Sequence, residues 1–259
     1  MIITSSNILK GLSPTVTTGA STDLPANLTD PDFSTIYRSS DSSRLTYSFG
    51  PTGQINYIAV AGINIGSGTF NTISEYARAR VFDGGQLIKT VNTIRDNCLV
   101  IYFPARSFSN LTIGLKSSNG ENPICSFTAA GVAFEVPNGG EVAGYVRQYL
   151  SRNIKQKTTT NTIAAPVAVL KKRMPAKLTL NLPNMTKEFS EGTWQDFLDF
   201  AVDNFFFIQE QQNNPASDFE DLNPSSYMCY NLMNNKASAH AQTRKLNNLS
   251  VSFSVYNGL

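Results

Sequence analysis

The chain holds a single histidine, His240, in a stretch rich in Asn, Ala and Ser. One histidine rules out a multi-histidine metal site, and a nucleophilic triad needs its base held beside an oriented Ser or Cys. No G-x-S-x-G, P-loop or G-x-G-x-x-G run stands between a strand pattern and a helix pattern. Paired carboxylates could serve glycoside hydrolysis. Here, however, Asp196, Asp199 and Asp203 fall on the solvated side of a helical pattern, and Glu210, Glu220 and Asp221 lie in a polar stretch. The three cysteines, Cys98, Cys125 and Cys229, form no CxxC pair, so zinc is not expected. They read as buried thiols, with a Cys98–Cys125 disulfide as the alternative. These residues together predict a protein that does no chemistry.

Other residues suit binding. Tyr145, Arg147 and Tyr149 alternate with Val146 and Gln148, so as a strand they would share one face. Tyr and Arg are favoured at interface hot spots. Residues 151–177 are rich in Thr and Lys and carry the one basic cluster, Lys171-Lys172-Arg173. The expectation is a long polar loop or arm at 151–164, within an arm 151–177 that orders on docking to a partner.

The elements that must hold these residues are mostly strands. Leu45, Tyr47 and Phe49 alternate with Thr46 and Ser48, the pattern of a half-buried strand. Similar strands are expected at 55–65, 76–82, 87–94, 98–103, 111–115 and 125–136, with a tight turn at Asp83-Gly84-Gly85. The near-continuous apolar run Cys98–Phe103 fits a strand covered on both faces. Pro137-Asn138-Gly139-Gly140 predicts a boundary, giving one domain at 1–140 and another at 141–259. In the second, strands are expected at 177–182, 205–208, 227–232 and 249–256. One helix is expected near 193–205, capped by Thr193 and burying Trp194, Phe197, Leu198, Ala201 and Phe205. The fold class is therefore mainly β: a sandwich, then a smaller β-rich α+β domain with one helix.

Composition narrows the partners. Of 259 residues only 15% are charged and the net charge is +2. No broad basic field exists for nucleic acid. A surface rich in Ser, Thr and Asn suits permanent packing against neighbours. The first residues lack the pattern of a signal peptide, and no apolar run reaches membrane-spanning length, so synthesis in a cytoplasm and no membrane contact are expected.

Asn27, Leu28, Asp30, Asp32 and Thr35, then Phe49-Gly50, then Ile55, Ile58, Ala59, Val60, Gly62 and Asn64 together resemble the galactose-binding-like (discoidin-type) β-sandwich family over residues 1–137. The resemblance implies a jelly-roll sandwich. It implies a structural calcium at Asn27, Asp30 and Asp32, the alternative being an Asx-turn loop without metal; no other cofactor is expected. It also implies carbohydrate recognition, with Tyr37, Arg38, Phe70 and Tyr76 as the aromatic and polar candidates. A discoidin-like sandwich followed by a helix-bearing domain, with the phrases AGINIGSG (61–68) and ARVFDGG (79–85), is similar to virion proteins of tailed bacteriophages. That similarity implies a non-enzymatic tail, baseplate or collar component of the virion, assembled in the host cytoplasm. Its partners would be other virion subunits and copies of itself in a ring, with Tyr145, Arg147, Tyr149, Lys171, Lys172 and Arg173 at the interfaces. The alternative is a carbohydrate-binding module that adsorbs to host-surface glycans.

Overall fold

The computed structural model describes residues 1–30, 32, 35–65, 77–93, 97–118, 120–137, 141–143, 154–160, 166–173, 176–209, 226–239 and 246–256. The first half supplies β1 (Ile2–Thr4), β2 (Thr15–Thr18), a 3-10 turn at Pro25–Leu28, β3 (Tyr37–Arg38), β4 (Arg44–Phe49), β5 (Ile55–Ile63), β6 (Ala77–Asp83), β7 (Gln86–Thr93), β8 (Asn97–Arg106), β9 (Leu111–Lys116), β10 (Ile124–Cys125), β11 (Phe127–Gly131) and β12 (Ala133–Glu135). The second supplies β13 (Glu141–Ala143), β14 (Ile154–Thr160), β15 (Pro166–Arg173), β16 (Ala176–Thr186), α1 (Lys187–Glu191), α2 (Thr193–Asp203), β17 (Phe206–Gln209), β18 (Ser226–Ala239) and β19 (Leu246–Val255). The protein is mainly β, as its alternating patterns predict.

These strands stack in layers. A five-stranded sheet runs in the order β2-β4-β9-β6-β7, and a three-stranded sheet in the order β11-β5-β8. Between them lies the first core: Leu45, Tyr47, Phe49, Val81, Ile113 and Leu115 from one side, and Ile58, Val60, Leu99 and Ile101 from the other. The buried Tyr47 hydroxyl bonds Thr128 Oγ1 at 2.8 Å, so this inter-sheet core spends no unpaired polar group there. The opposite face of the three-stranded sheet packs Tyr57, Ala59, Val100, Phe127 and Ala129 against Ile2, Phe207 and Met228. The middle sheet is thus covered twice, which is why β5 and β8 read as almost unbroken apolar runs.

The third sheet has seven strands, β12-β1-β17-β18-β19-β16-β13. Its outer side is capped by the helices through Leu180, Phe206, Val251 and Phe253 against Trp194, Phe197, Leu198 and Ala201. Phe197 is the hub. Its ring centroid lies 5.1 Å from those of both Trp194 and Phe206, 5.8 Å from Phe134 and 6.1 Å from Phe253. The sheet uses both ends of the sequence: β1 pairs with β12 and with β17. Residues 2–4 and 133–135 are therefore hydrogen-bonded into the same sheet as strands from beyond residue 140.

Several expectations are corrected. Residues 151–164 are not one polar loop, because 154–160 form β14, which pairs with β15 from Ile154↔Arg173 to Thr160↔Pro166. Residues 125–136 divide into β10, β11 and β12, with Ser126 and Val132 outside the strands. The strand expected at 227–232 is β18 and runs to Ala239. The helical region opens earlier than Thr193. Thr186 Oγ1 accepts the Phe189 N–H at 3.2 Å and starts α1. Gly192 then separates the helices and takes the N-cap of α2, leaving Thr193 as its first helical residue. Phe205 lies beyond α2 and is half-buried; it packs on Phe127 and Tyr230 rather than with the helix stripe. All three cysteines are free.

Candidate functional site

The outward side of the five-stranded sheet follows from alternation. With Leu45, Tyr47 and Phe49 buried, Arg44, Thr46 and Ser48 face out from β4. Likewise Thr112, Gly114 and Lys116 face out from β9, and Arg78, Arg80 and Phe82 from β6. Strand register sets these residues in lateral rows. One row reads Arg44, Lys116, Arg78, Asn92 across β4, β9, β6 and β7. The next reads Thr46, Gly114, Arg80, Thr90, and the third brings Thr15, Ser48, Thr112 and Phe82 together. Neighbouring strands lie about 4.8 Å apart, so the first row sets three cations side by side.

In the middle row a Cβ at Gly114 would meet Phe82 Cε2 at 3.6 Å and Thr46 Oγ1 at 3.8 Å, ordinary van der Waals contact, so the glycine lies directly beside the half-buried Phe82 ring. Arg80 stands beside it. Its Nε is enclosed and makes no hydrogen bond, which leaves a guanidinium donor unanswered by the protein.

The one carboxylate within these five strands, Asp83, is turned to other work. It pairs with Arg106 at 3.1 Å and accepts from Ser109 Oγ and Ser109 N at 2.8 Å each. The Ser109 hydroxyl, ahead of the Arg106 charge, holds its pKa below the ordinary carboxylate value. Asp41, just before β4, is spent in the same way. It accepts from Ser43 N at 2.8 Å and Ser43 Oγ at 2.9 Å, and these bonds lower its pKa, with the Arg44 charge contributing least.

At the far end of the same face lies a groove of about 680 Å³. Ile8, Leu12, Thr15, Ser48, Thr52 and Asn110 are among its lining residues, and no ionisable side chain lines it. Thr15 and Ser48 belong to both groove and sheet face, so the two are continuous.

The residues expected from sequence to bind glycan are not gathered here. Tyr37 is a core residue, 1% exposed. Its hydroxyl accepts from Ser21 N at 3.0 Å and donates to Gly19 O at 3.3 Å, so its ring offers no stacking face. Arg38 is exposed, at the β3–β10 pair rather than on the five-stranded sheet. Phe70 and Tyr76 lie outside the described residues, as do Tyr145, Arg147, Tyr149 and His240. Lys171, Lys172 and Arg173 lie along β15, opposite Gln156, Lys155 and Ile154. In the loop proposed for calcium, Asp30 Oδ1 accepts from Asp32 N at 2.9 Å, an Asx turn, and Asn27 Nδ2 donates to Ile36 O at 3.0 Å. Calcium takes six to eight oxygens. Among the described residues no three His, Cys, Asp or Glu gather as a metal cluster.

No protein-family model matches the chain, and no curated protein matches it. Solved structures share a partial likeness. A GH29 fucosidase of Ruminococcus gnavus, in complex with fucose, is 14% identical with a TM-score of 0.37, covering 50% of this chain. This chain spans only 27% of that enzyme. Chitosan-binding module 1 of a Paenibacillus chitosanase/glucanase is 11% identical, covering 48% of this chain and 98% of the module, with a TM-score of 0.37. A CBM32 module of Clostridium perfringens in complex with GalNAc-β-1,3-galactose is 14% identical, covering 46% and 93%, with a TM-score of 0.33. At such scores no property passes from these proteins to this chain.

Proposed function

We propose that this protein is a carbohydrate-binding module without chemistry of its own, and that it binds through the outer face of the five-stranded sheet. The observation that supports this is the half-buried Phe82 ring on the outward face, with Thr46, Thr112 and Arg80 in the neighbouring register positions and the uncharged groove continuous with the same face. A sugar ring presents an apolar C–H face and a rim of hydroxyls. An outward aromatic ring accepts the first, and hydroxyl and guanidinium groups answer the second. A glycan array probed with the whole protein tests this reading. Binding that Phe82→Ala weakens at least tenfold, with the fold intact by circular dichroism, is the expected result. No saccharide retained on the array overturns it.

A second reading is that the protein is a virion subunit of a tail, baseplate or collar, working through interfaces. It is favoured by the β14–β15 ribbon, which pairs with no other sheet among the described residues. Hydrogen exchange over 154–173 checks it. Protection that rises between the free protein and a purified particle supports docking, and equal protection in both removes it.

A further inference from the structure

Resting on the carbohydrate-binding reading, we infer that the ligand is an uncharged oligosaccharide and that the groove at the end of the sheet face holds part of it. The groove is preformed. Ile8, Leu12 and Ser13 in its lining come from the segment before β2. That segment is tied down along its length: Ile8 N donates to Ala130 O at 2.8 Å, Leu9 N to Asn7 Oδ1 at 3.0 Å, and the Thr29 hydroxyl to Leu12 O. The turn from Gly50 to Gly53 supplies another part of the lining. It is held by Thr52 N on Phe108 O at 3.0 Å and by Phe108 N on Thr52 Oγ1 at 3.3 Å. Both segments are in place before a ligand arrives, which spares the ordering cost of binding. Glycine at 50 and 53 answers no need of the chain itself. Neither residue has a positive φ, and a Cβ on either would meet nothing within 4 Å. What the missing side chains do is leave that part of the groove open to close approach.

The lining also sets the charge of the ligand. Ser13, Thr15, Ser48 and Asn110 offer hydroxyl and amide groups, while Ile8 and Leu12, 41% and 47% exposed, offer apolar surface. Among the described residues no ionisable side chain lines the groove. Two charged groups on or beside the lining segments turn elsewhere. Lys10, between Ile8 and Leu12, donates through Nζ to Asn204 Oδ1 at 3.0 Å. Asp83, which accepts from Asn110 N at 3.3 Å, is paired with Arg106. The part of the sheet face that adjoins the groove is uncharged as well, since Thr15, Ser48, Thr112 and Phe82 share one row. A charged sugar would give up hydration in this groove with no opposite charge to replace it. A neutral ring escapes that cost: its C–H face meets Ile8, Leu12 and Phe82, and its hydroxyls meet the Ser, Thr and Asn groups.

The test is titration calorimetry of the full chain against neutral laminarin and cello-oligosaccharides, anionic oligogalacturonate and cationic glucosamine oligomers. The expected result is binding of at least one neutral oligosaccharide, unchanged between low and high salt and weakened at least tenfold in Gly50→Leu and in Leu12→Ser. A side chain at position 50 enters open space and Leu12 is already exposed, so both variants should unfold at the temperature of the parent chain. Neutral binding that Phe82→Ala abolishes while Gly50→Leu and Leu12→Ser leave it untouched overturns the groove and leaves carbohydrate binding through the face standing. Tighter binding of either charged saccharide, weakening with salt, overturns the uncharged ligand and again leaves carbohydrate binding standing. Binding of none of the saccharides overturns this inference together with the reading on which it rests.

Discussion

Two parts of the molecule are cationic, Thr-rich and β, yet they are supported in opposite ways. The outer face of the five-stranded sheet carries Arg44, Lys116, Arg78 and Arg80 over a buried layer that includes Leu45, Tyr47, Ile113 and Leu115. The β14–β15 ribbon has Lys155, Lys157, Lys171, Lys172 and Arg173 along two strands that pair only with each other among the described sheets. Residues 142–186 include eight Lys and Arg and no Asp or Glu, so with a chain total of +2 the remainder sums to −6. A two-stranded hairpin is marginal alone in water, whereas a sheet with one face on a core is fixed. The charges on the face therefore stand on a sheet backed by a core, whereas those on the ribbon stand on two strands paired only with each other among the described sheets. The first arrangement suits repeated recognition of a ligand, and the second suits a lasting contact.

The comparison breaks most visibly at the cores. Phe197, 0% exposed among four other aromatic rings, should cost about 3–5 kcal/mol as Phe197→Ala. Ile113, beneath the cationic face and also 0% exposed, should cost about 2–5 kcal/mol as Ile113→Ala. Chemical denaturation measures both. An unchanged midpoint in the second would mean that the face is not held by the core below it.

How much of this can be read without coordinates depends on the range of the signal. The strands β4 and β9 are visible because Leu45-Thr46-Tyr47-Ser48-Phe49 and Leu111-Thr112-Ile113-Gly114-Leu115 carry their period within a few residues. The aromatic stripe of α2 is visible for the same reason. Its cap is misjudged because Thr186, an equally good cap, opens a separate helix about two turns earlier and Gly192 takes the cap of α2. Tyr37 misleads because its type fits both a sugar platform and a core. Only the partners of its hydroxyl, Ser21 N and Gly19 O, decide the matter. The cationic row stays hidden because Arg44, Arg78 and Lys116 are far apart in sequence, and register brings them together. The ribbon is missed because Lys155-Gln156-Lys157-Thr158-Thr159 has no apolar alternation. Its order comes from backbone pairing with β15.

A smaller effect has the opposite sign. Lys116→Thr removes a charge flanked on both sides by arginine positions, so the free protein should gain about 0.2–1 kcal/mol. The gain should shrink as salt screens the row. A loss of stability, or a gain that salt does not alter, would mean that the row is not under electrostatic strain. The prediction separates the face from an ordinary solvated surface, on which such a change is close to neutral.

The smallest effect should come from the ribbon. Replacing residues 154–173 with a short glycine-serine linker removes two whole strands, yet the denaturation midpoint should stay where it is. The reason lies in the pairing: β14 and β15 hydrogen-bond to each other, and neither belongs to the five-, three- or seven-stranded sheet. In their register Lys155 stands directly across from Lys172. Such a ribbon adds little to the stability of a body whose cores lie in other layers. The linker variant should therefore unfold with the midpoint of the intact chain while losing any particle attachment. A clear drop in midpoint would show that the ribbon packs on the body, and the contrast between a supported face and a self-paired arm would fail at its second term.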